Sequence, residues 1–324
     1  MFSLDDLFIK PGENIIPPAL DLFRFQYANN PLYRQYTDAL GVDPQMVTSP
    51  AGIPFLPISF FKTRAVKTTD FIPEAIFASS GTTGMITSRH EIKELGLYTR
   101  SFTTCFERFY GNITDYCVLG LLPSYLERDN SSLVAMVDAL IRESGHSESG
   151  FYLYDHEALF HLLQNLERRG QKTLLIGVTF GLLDFAEKYA LSLHHTVVME
   201  TGGMKGRRRE MTRGELHAFL AHRLGVKTIH AEYGMTELLS QAYSPADGLF
   251  SCPPWMKVLV RSEDDPLEVR KEGEGILNII DLANRWSCAF LATEDTGRVY
   301  PDGRFEVSGR VDNSDLRGCS LLVA

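Results

Sequence analysis

The sequence has few of the features that mark disulfide-rich or nucleic-acid-binding proteins. Its 324 residues include an odd number of cysteines, which form no C-x-x-C pair: Cys105, Cys117, Cys252, Cys288 and Cys319. This spacing gives no basis for a disulfide scaffold, so reduced thiols are expected. The 32 Lys and Arg residues are outnumbered by 41 Asp and Glu residues, for a net charge of −9. An acidic chain of this kind is not expected to bind a nucleic-acid backbone.

Long apolar runs are also missing. The best candidate for a membrane span, residues 173–186, has 14 residues and contains Asp184, whereas a spanning helix needs about 20. The first ten residues, MFSLDDLFIK, carry two Asp residues where a secretory signal would carry Lys or Arg. A content of 44% hydrophobic and 23% charged residues is that of an ordinary globular protein. We therefore expect a cytoplasmic protein without a membrane span.

The most distinctive stretch that is present is SSGTTG at residues 79–84, which contains only Ser, Gly and Thr. Such a run cannot build a core, but its glycines let backbone N–H groups turn inward and its hydroxyls add donors. The apolar residues 75–78 predict a buried strand before it, so we expect a phosphate-binding loop at a sheet edge. A Walker loop is excluded because Met85 stands where that motif needs Lys. A solvated polar loop is the alternative.

From residue 75 onward, short apolar runs alternate with helical patterns, which predicts an α/β fold with a layered sheet. The predicted strands span residues 75–79, 116–122, 151–154, 173–178, 196–199 and 228–231. The predicted helices span residues 95–110, 131–144, 156–168, 181–191 and 209–224. After residue 233 only short strands follow, at residues 257–261, 276–281, 289–292 and 304–308. The predicted division is an α/β body (1–240), a smaller β-rich lobe (241–310) and a short tail (311–324).

Two further stretches place polar residues directly after predicted strands. ETGG at 200–203 follows one strand, and the carboxyl ends of strands are where open α/β sheets bind ligands. A plain turn explains that pair of glycines almost as well. IHAEYGMTEL at 229–238 combines an aromatic ring for a base, a glycine for close approach, a hydroxyl for phosphate and a carboxylate for Mg²⁺. Taken singly, Tyr233 also fits a core position and Glu237 fits a helix start.

Residues 292–318 form the last stretch with candidate binding groups. The carboxylate of Asp295 suits a ribose diol, and the guanidinium of Arg310 suits a phosphate or the same diol. Two hairpins with acidic turn residues are the alternative.

The order and spacing of these motifs resemble the adenylate-forming superfamily, which includes acyl-CoA ligases and firefly-type luciferases. The motifs are SSGTTG at 79–84, TGG at 201–203, YGMTE at 233–237, TED at 293–295 and SGRVDNSDLRG at 308–318. The resemblance is greatest to a shorter branch, the acyl-protein synthetases (LuxE-type) of the bacterial bioluminescence fatty-acid reductase. NPLYRQYTDALGV and FLPISFFK near the start also resemble that branch, so nearly the whole chain is covered.

The resemblance implies an enzyme that uses ATP and Mg²⁺ to convert a carboxylic acid, on this likeness a fatty acid, into acyl-AMP. It assigns the ATP phosphates to Ser79, Ser80, Gly81, Thr82, Thr83 and Gly84, and the border between adenine and acyl group to Gly202 and Gly203. Tyr233 would stack on adenine beside Gly234. Thr236 would face the α-phosphate and Glu237 the metal, while Asp295 and Arg310 would hold the ribose. Arg310 would also neutralise charge during catalysis.

The chain departs from the superfamily pattern in two ways. Ile86-Thr87 replaces the usual Pro-Lys after the phosphate loop, and the chain ends about where the mobile carboxy-terminal domain with its catalytic lysine would begin. We therefore expect that domain to be absent or vestigial. Two alternatives stay open: an acyltransferase that works from acyl-CoA or acyl carrier protein without ATP, and a non-catalytic nucleotide- or acyl-binding subunit.

Cys319 is predicted to accept the acyl group as a thioester. Arg317 precedes it and favours the thiolate, while Gly318 and the nearby chain end give mobility. In the acyl-protein synthetases a cysteine near the carboxyl terminus passes the acyl group to a reductase. The resemblance therefore implies an acyl-CoA reductase-like or acyl-carrier partner. The alternative is a buried cysteine that docks the tail through residues 321–323.

Overall fold

The computed structural model describes residues 8–79, 86–123, 130–202 and 211–311. Its helices are α1 (Ile16–Asn29), α2 (Pro31–Ala39), α3 (Phe60–Thr63), α4 (Leu95–Tyr110), α5 (Ser132–Ser144), α6 (His156–Arg168), α7 (Thr179–Lys188) and α8 (Arg213–Leu224). Its first nine strands are β1 (Leu56–Pro57), β2 (Ala75–Ala78), β3 (Arg89–Ile92), β4 (Cys117–Leu121), β5 (Gly150–Phe151), β6 (Thr173–Gly177), β7 (Thr196–Glu200), β8 (His230–Tyr233) and β9 (Ala242–Ser244). The others are β10 (Met256–Arg261), β11 (Val269–Arg270), β12 (Gly273–Asp281), β13 (Phe290–Val299) and β14 (Phe305–Arg310).

The described residues form two compact units, and both are discontinuous in sequence. The first contains the residues up to Phe102, Met235–Gln241 and the residues from Ser251 onward, while the second contains Thr103–Gly234 and Ala242–Phe250. This division differs from the predicted boundary between residues 240 and 241. The reason is that β1 pairs in parallel with β13, which joins the amino-terminal segment to late strands. Contacts between residues so far apart leave no local sequence pattern.

The second unit contains a six-stranded sheet of order β5-β4-β6-β7-β8-β9. Neighbouring strands run parallel except β8 and β9, which are antiparallel. Strands β4 and β6 are buried along their whole length, which explains their continuous apolar sequences. Leucines at helical spacing on α6 and α8 pack with them in one core: Leu159, Leu163, Leu166, Leu216, Leu220 and Leu224. Adjacent parallel strands end at the same sheet edge, so Glu200 and Tyr233 terminate β7 and β8 on one side.

The first unit contains a mainly antiparallel sheet of order β1-β13-β12-β10-β11, with β14 paired to β13. A separate hairpin is formed by β2 and β3. The ring of Tyr33 in α2 stacks on that of Phe290 in β13, with centroids 6.1 Å apart and an interplanar angle of 17°. The Nε2 of Gln26 in α1 donates to the carbonyl oxygens of Asn284 and Arg285 at 2.9 Å each. Aromatic packing and buried hydrogen bonds therefore tie the first helices to the late strands.

The predicted fold class is confirmed, because a parallel sheet with helices is followed by antiparallel strands. Helices α4 and α6 have the predicted bounds. Helix α8 begins at Arg213, later than the predicted residue 209, because Thr212 and Glu215 form a reciprocal capping box that fixes its start. No helix among the described residues is long and apolar enough to cross a membrane. Residues 173–186 form β6 and the first part of α7.

Candidate active site

The predicted phosphate-binding stretch begins where the strands of the β2–β3 hairpin end. The N–H of Ser79 donates to the carbonyl oxygen of Ser88 at 3.0 Å, and the N–H of Ser88 donates to Oγ of Ser79 at 2.9 Å. These two bonds fix Ser79 against Ser88. The rest of the prediction, Ser80, Gly81, Thr82, Thr83 and Gly84, lies outside the described residues.

The predicted glycine pair follows β7, and its first member is held by the glutamate two residues earlier. The N–H of Gly202 donates to Oε2 of Glu200 at 2.6 Å, and the carbonyl oxygen of Gly202 accepts from the N–H of Thr179 at 3.1 Å. Gly202 has a φ of +74°, a conformation that costs little only for glycine. Glu200 at the end of β7 and Thr179 at the start of α7 therefore both hold the turn at Gly202. Gly203 lies outside the described residues.

Glu200 itself lies in a buried charged cluster that sequence reasoning missed. Its side chain is 2% exposed, and its Oε1 lies 3.8 Å from Nε of Arg213 and 3.5 Å from Nε2 of His217, both in α8. Burial, with the neighbouring charge of Glu200, raises the pKa of Glu232 in β8 to about 8. The signal that could have revealed the cluster is a glutamate in each of the neighbouring strands β7 (TVVME) and β8 (HAEY).

Tyr233 ends β8 and belongs to the second unit. It is 7% exposed, and its ring centroid lies 5.9 Å from that of Phe250. Its backbone pairs with Ala242 of β9. The ring is thus held largely within the protein. Stacking on adenine remains a prediction, as does a role for Gly234.

Thr236 and Glu237 lie in a turn of the first unit that is closed by a bond from the N–H of Leu238 to the carbonyl oxygen of Met235, at 3.0 Å. Thr236 is half-buried and Glu237 is fully buried. The main-chain carbonyl of each is held by a buried side chain. The Nδ1 of His90 lies 2.8 Å from the oxygen of Thr236, and Nδ2 of Asn284 donates to the oxygen of Glu237 at 2.8 Å.

The residues directly after this turn are fixed by a fully buried carboxylate, Asp281, which was also missed. The N–H groups of Leu239 and Ser240 each donate to its Oδ2 at 2.9 Å, and Oγ of Ser240 donates to its Oδ1 at 2.6 Å. Burial raises the pKa of Asp281, and these hydrogen bonds oppose the rise. The polypeptide around Glu237 is thereby rigid on its carboxyl side.

Asp295 and Arg310 are brought together by the pairing of β13 with β14, in which they are register partners. Nε of Arg310 lies 3.0 Å from Oδ1 of Asp295, and its Nη2 lies 3.3 Å from Oε2 of Glu294. The side chains of Asp295 and Arg310 are only 3% and 7% exposed. The alternative of acidic turn residues is wrong for Asp295, because it lies within a strand.

A metal ion near Glu237 would have few protein ligands. Among the residues that the structure describes, no group of three or more His, Cys, Asp or Glu side chains could hold one. Mg²⁺ usually binds through one or two protein carboxylates, with phosphate oxygens and water completing its shell. One buried carboxylate beside a threonine hydroxyl therefore fits a Mg²⁺ ion that arrives with a nucleotide.

The cysteines within the described ranges form no disulfide and are poorly suited to nucleophilic chemistry. Cys105, Cys117 and Cys288 are buried. Burial raises the pKa of Cys117 to about 11 and the pKa values of Cys252 and Cys288 to about 12. Cys319 lies outside the described residues.

Comparison with known proteins settles the family. The family described as "Acyl-protein synthetase, LuxE" matches residues 16–324. The chain belongs to this family. A curated relative, the long-chain-fatty-acid–luciferin-component ligase of Vibrio harveyi, is 25% identical over 93% of this chain and 85% of its own. The resemblance to the LuxE-type acyl-protein synthetases and the predicted enzyme class, an acyl-protein synthetase, are therefore confirmed.

Solved structures of adenylate-forming enzymes share the fold. 2-Hydroxyisobutyryl-CoA ligase, in complex with 2-HIB-AMP, has a TM-score of 0.64 and 12% identity over 97% of this chain and 74% of its own. ATP-bound MatB from Rhodopseudomonas palustris has a TM-score of 0.55 and 14% identity over 85% of this chain. This chain spans about half the length of MatB, 52%. At such identities the likeness establishes the fold of the chain.

Proposed function

We propose that the protein activates a fatty acid with ATP and Mg²⁺, and then carries the acyl group as a thioester on Cys319. The observation that carries the proposal is the family match from residue 16 to 324, because it contains every predicted motif and Cys319. The name of the Vibrio harveyi relative specifies a long-chain fatty acid, which supports this class of substrate. A cytoplasmic location is proposed with it.

In the first step the carboxylate oxygen of the acid attacks the α-phosphorus of ATP. A new P–O bond forms, the bond to the β-phosphate oxygen breaks, and pyrophosphate leaves. The nucleophile is already ionised, so no general base is needed. Mg²⁺ would supply charge neutralisation on the phosphates, with Glu237 as its protein ligand.

The chain's own residues would position the reactants. The hydroxyl of Thr236 would donate to the α-phosphate, and the loop at residues 79–84 would donate N–H and O–H groups to the other phosphates. Tyr233 would stack on adenine next to Gly234, while Gly202 and Gly203 would border adenine and the acyl group. Asp295 would accept hydrogen bonds from the ribose, and Arg310 would offset developing negative charge.

In the second step the thiolate of Cys319 attacks the acyl carbonyl of acyl-AMP. A thioester forms and AMP leaves with the electron pair of the broken C–O bond. The acyl group would then pass to a partner, either an acyl-CoA reductase-like protein or an acyl carrier.

Exchange of labelled pyrophosphate into ATP tests the first step. The purified chain should catalyse this exchange only when a carboxylic acid is present, and fatty acids should support it better than aryl acids. Transfer of an acyl group from acyl-CoA without any exchange would favour an ATP-independent acyltransferase instead. Binding of ATP with neither exchange nor transfer, across a panel of fatty and aryl acids, would favour a non-catalytic subunit.

A further inference from the structure

His90 is a buried histidine with a hydrogen-bonding partner at both ring nitrogens. It lies in β3, opposite Phe77 of β2, and is 1% exposed. Its ring packs edge-on against Phe61, with centroids 5.4 Å apart. Nδ1 lies 2.8 Å from the carbonyl oxygen of Thr236 and Nε2 lies 2.9 Å from Oγ of Ser287.

The two contacts determine where the ring carries its proton. A carbonyl oxygen can only accept, so the Nδ1 of His90 must donate to Thr236. In the neutral ring Nε2 then accepts from the hydroxyl of Ser287. Burial lowers the pKa of His90, against the effects of the bond to Thr236 and of the charges of Glu237 and Glu91. The neutral ring with its proton on Nδ1 is therefore the form that fits these neighbours.

Ser287, which contacts Nε2 of His90, is itself fixed by hydrogen bonds. The carbonyl oxygen of Ser287 accepts from Oγ1 of Thr68 at 2.6 Å and from Nδ2 of Asn30 at 3.0 Å. Ser287 is 2% exposed, and Asn30 and Thr68 are as deeply buried. A continuous series of hydrogen bonds thus runs from Asn30, at the start of α2, through Ser287 and His90 to Thr236.

The segment that contains Ser287 also holds the main-chain carbonyl of Glu237, the residue after Thr236. Asn284 donates from Nδ2 to the oxygen of Glu237, and the N–H of Ser287 donates to the oxygen of Asn284 at 3.2 Å. The carbonyl groups of two consecutive residues are therefore fixed, that of Glu237 by Asn284 and that of Thr236 by His90. Fixing both peptide groups sets the directions in which the Thr236 and Glu237 side chains leave the backbone.

We propose that His90 is a positioning residue for acid activation: its Nδ1–H holds the main chain at Thr236 so that the Thr236 hydroxyl and the Glu237 carboxylate are oriented for phosphate and Mg²⁺. This inference rests on the proposed function. His90 acts through Thr236 and does not itself contact the reacting atoms. Because it lies on the strand after residues 79–84, it also connects the β2–β3 hairpin to this turn.

A matched pair of amide substitutions tests the role. In His90→Asn the amide nitrogen lies about where Nδ1 was and can still donate to Thr236. In His90→Gln the longer side chain places its amide near the Nε2 position, so it reaches Ser287 and loses Thr236. Both variants are uncharged, and both lose one of the two contacts.

The measurement is the Mg²⁺ concentration that gives half-maximal pyrophosphate exchange, together with calorimetric affinity for a non-hydrolysable ATP analogue with and without Mg²⁺. His90→Gln should raise the half-maximal Mg²⁺ concentration and weaken Mg²⁺-dependent binding by about tenfold. It should leave the KM for the carboxylate unchanged. His90→Asn and Ser287→Ala should stay within about threefold of the wild type in both readouts, since each keeps a donor at Thr236.

Equal losses in His90→Asn and His90→Gln, or parallel changes in the KM for the carboxylate, would overturn the positioning role. NMR of the ¹⁵N-histidine-labelled wild-type chain gives a test that needs no variant, and a His90 proton on Nε2 would also overturn it. Failure of the proposed function is distinguishable. In that case the wild type shows no exchange, while calorimetry of nucleotide and Mg²⁺ binding still compares the two amides.

Discussion

Nε of Arg310 lies 3.0 Å from Oδ1 of Asp295 across the β13–β14 pair, and both side chains are more than nine-tenths buried. In a buried ion pair of this kind each charge compensates the other for lost hydration. Removing either partner therefore leaves a desolvated charge and destabilises the folded protein. The two residues that the sequence assigned separately to ribose are thus energetically coupled to each other.

The first prediction concerns Asp295→Asn, which keeps the shape of the side chain and removes its charge. We expect the KM for ATP to rise by about tenfold, since a charge-assisted hydrogen bond to ribose contributes about 1.5–3 kcal/mol. We also expect a loss of about 3 kcal/mol in the free energy of unfolding, because the buried guanidinium of Arg310 would lose the charge of Asp295. Exchange kinetics and urea unfolding measure the two effects.

Asp302→Asn is the matched control for this prediction. Asp302 pairs with Arg304 at 2.7 Å, but both side chains are 51% exposed, and such surface pairs contribute little. The control should leave the KM for ATP and the stability nearly unchanged. A similar rise in the KM for the carboxylate in Asp295→Asn would contradict a role at the ribose.

The second prediction concerns Glu237, the proposed ligand of Mg²⁺. Glu237→Gln keeps the size of the side chain but removes the negative charge that a hard cation prefers. We expect Mg²⁺-dependent exchange to fall by about two orders of magnitude, with a circular dichroism spectrum like that of the wild type. Unchanged exchange at limiting Mg²⁺ would remove the assignment. Glu91→Gln, which changes a carboxylate 3.5 Å from Lys67, is the control that should retain exchange.

How well the sequence predicts this protein depends on how local the determining contacts are. Helices α4 and α6 follow from amphipathic spacing over residues 95–110 and 156–168, and β6 follows from a continuous apolar run. Each of these signals lies within the element itself. The start of α8 was missed although Thr212 and Glu215 have the capping-box spacing. That boundary was available from the sequence.

The candidate site is a different case, because its supporting residues act over long separations in sequence. His90 reaches Thr236 across 146 positions, and Asn284 reaches Glu237 across 47. Neither histidine nor asparagine carries a local pattern that predicts such a partner. The residues that would touch substrate could be proposed from motifs, whereas those that hold them required the fold.

The third prediction is a pH dependence of stability that arises from Glu232. Its pKa is raised from 4.5 to about 8 in the folded protein by burial and by Glu200. Between these values the folded state keeps a proton that the unfolded state has released. The free energy of unfolding should therefore fall as pH rises through this range, by about 1.4 kcal/mol per pH unit at most, and level off above pH 8.

Urea unfolding of the wild type and of Glu232→Gln from pH 5 to 9 measures the contribution of Glu232 to the free energy of unfolding, because glutamine does not ionise. The difference in stability between the two proteins should change with pH in the predicted direction. The stability of Asp302→Asn should change with pH in parallel with that of the wild type. Hydrogen bonds from Arg304 lower the pKa of Asp302, so this carboxylate does not titrate from pH 5 to 9. Parallel curves for the wild type and Glu232→Gln would show that Glu232 is not the source.

The last prediction is that Cys319 carries the acyl group. The described cysteines are unfavourable alternatives, because burial raises the pKa of Cys117, Cys252 and Cys288 to about 11 or 12, and a thiol rather than a thiolate is a weak nucleophile. Incubation with ATP, Mg²⁺ and labelled fatty acid should give a protein-bound label that neutral hydroxylamine releases, as it does a thioester. Cys319→Ala should lose this label and keep pyrophosphate exchange, since activation precedes transfer. Cys252→Ala, the control at the half-buried cysteine, should keep both. Full labelling of Cys319→Ala would end the assignment, and loss of exchange in that variant would place Cys319 in the activation step instead.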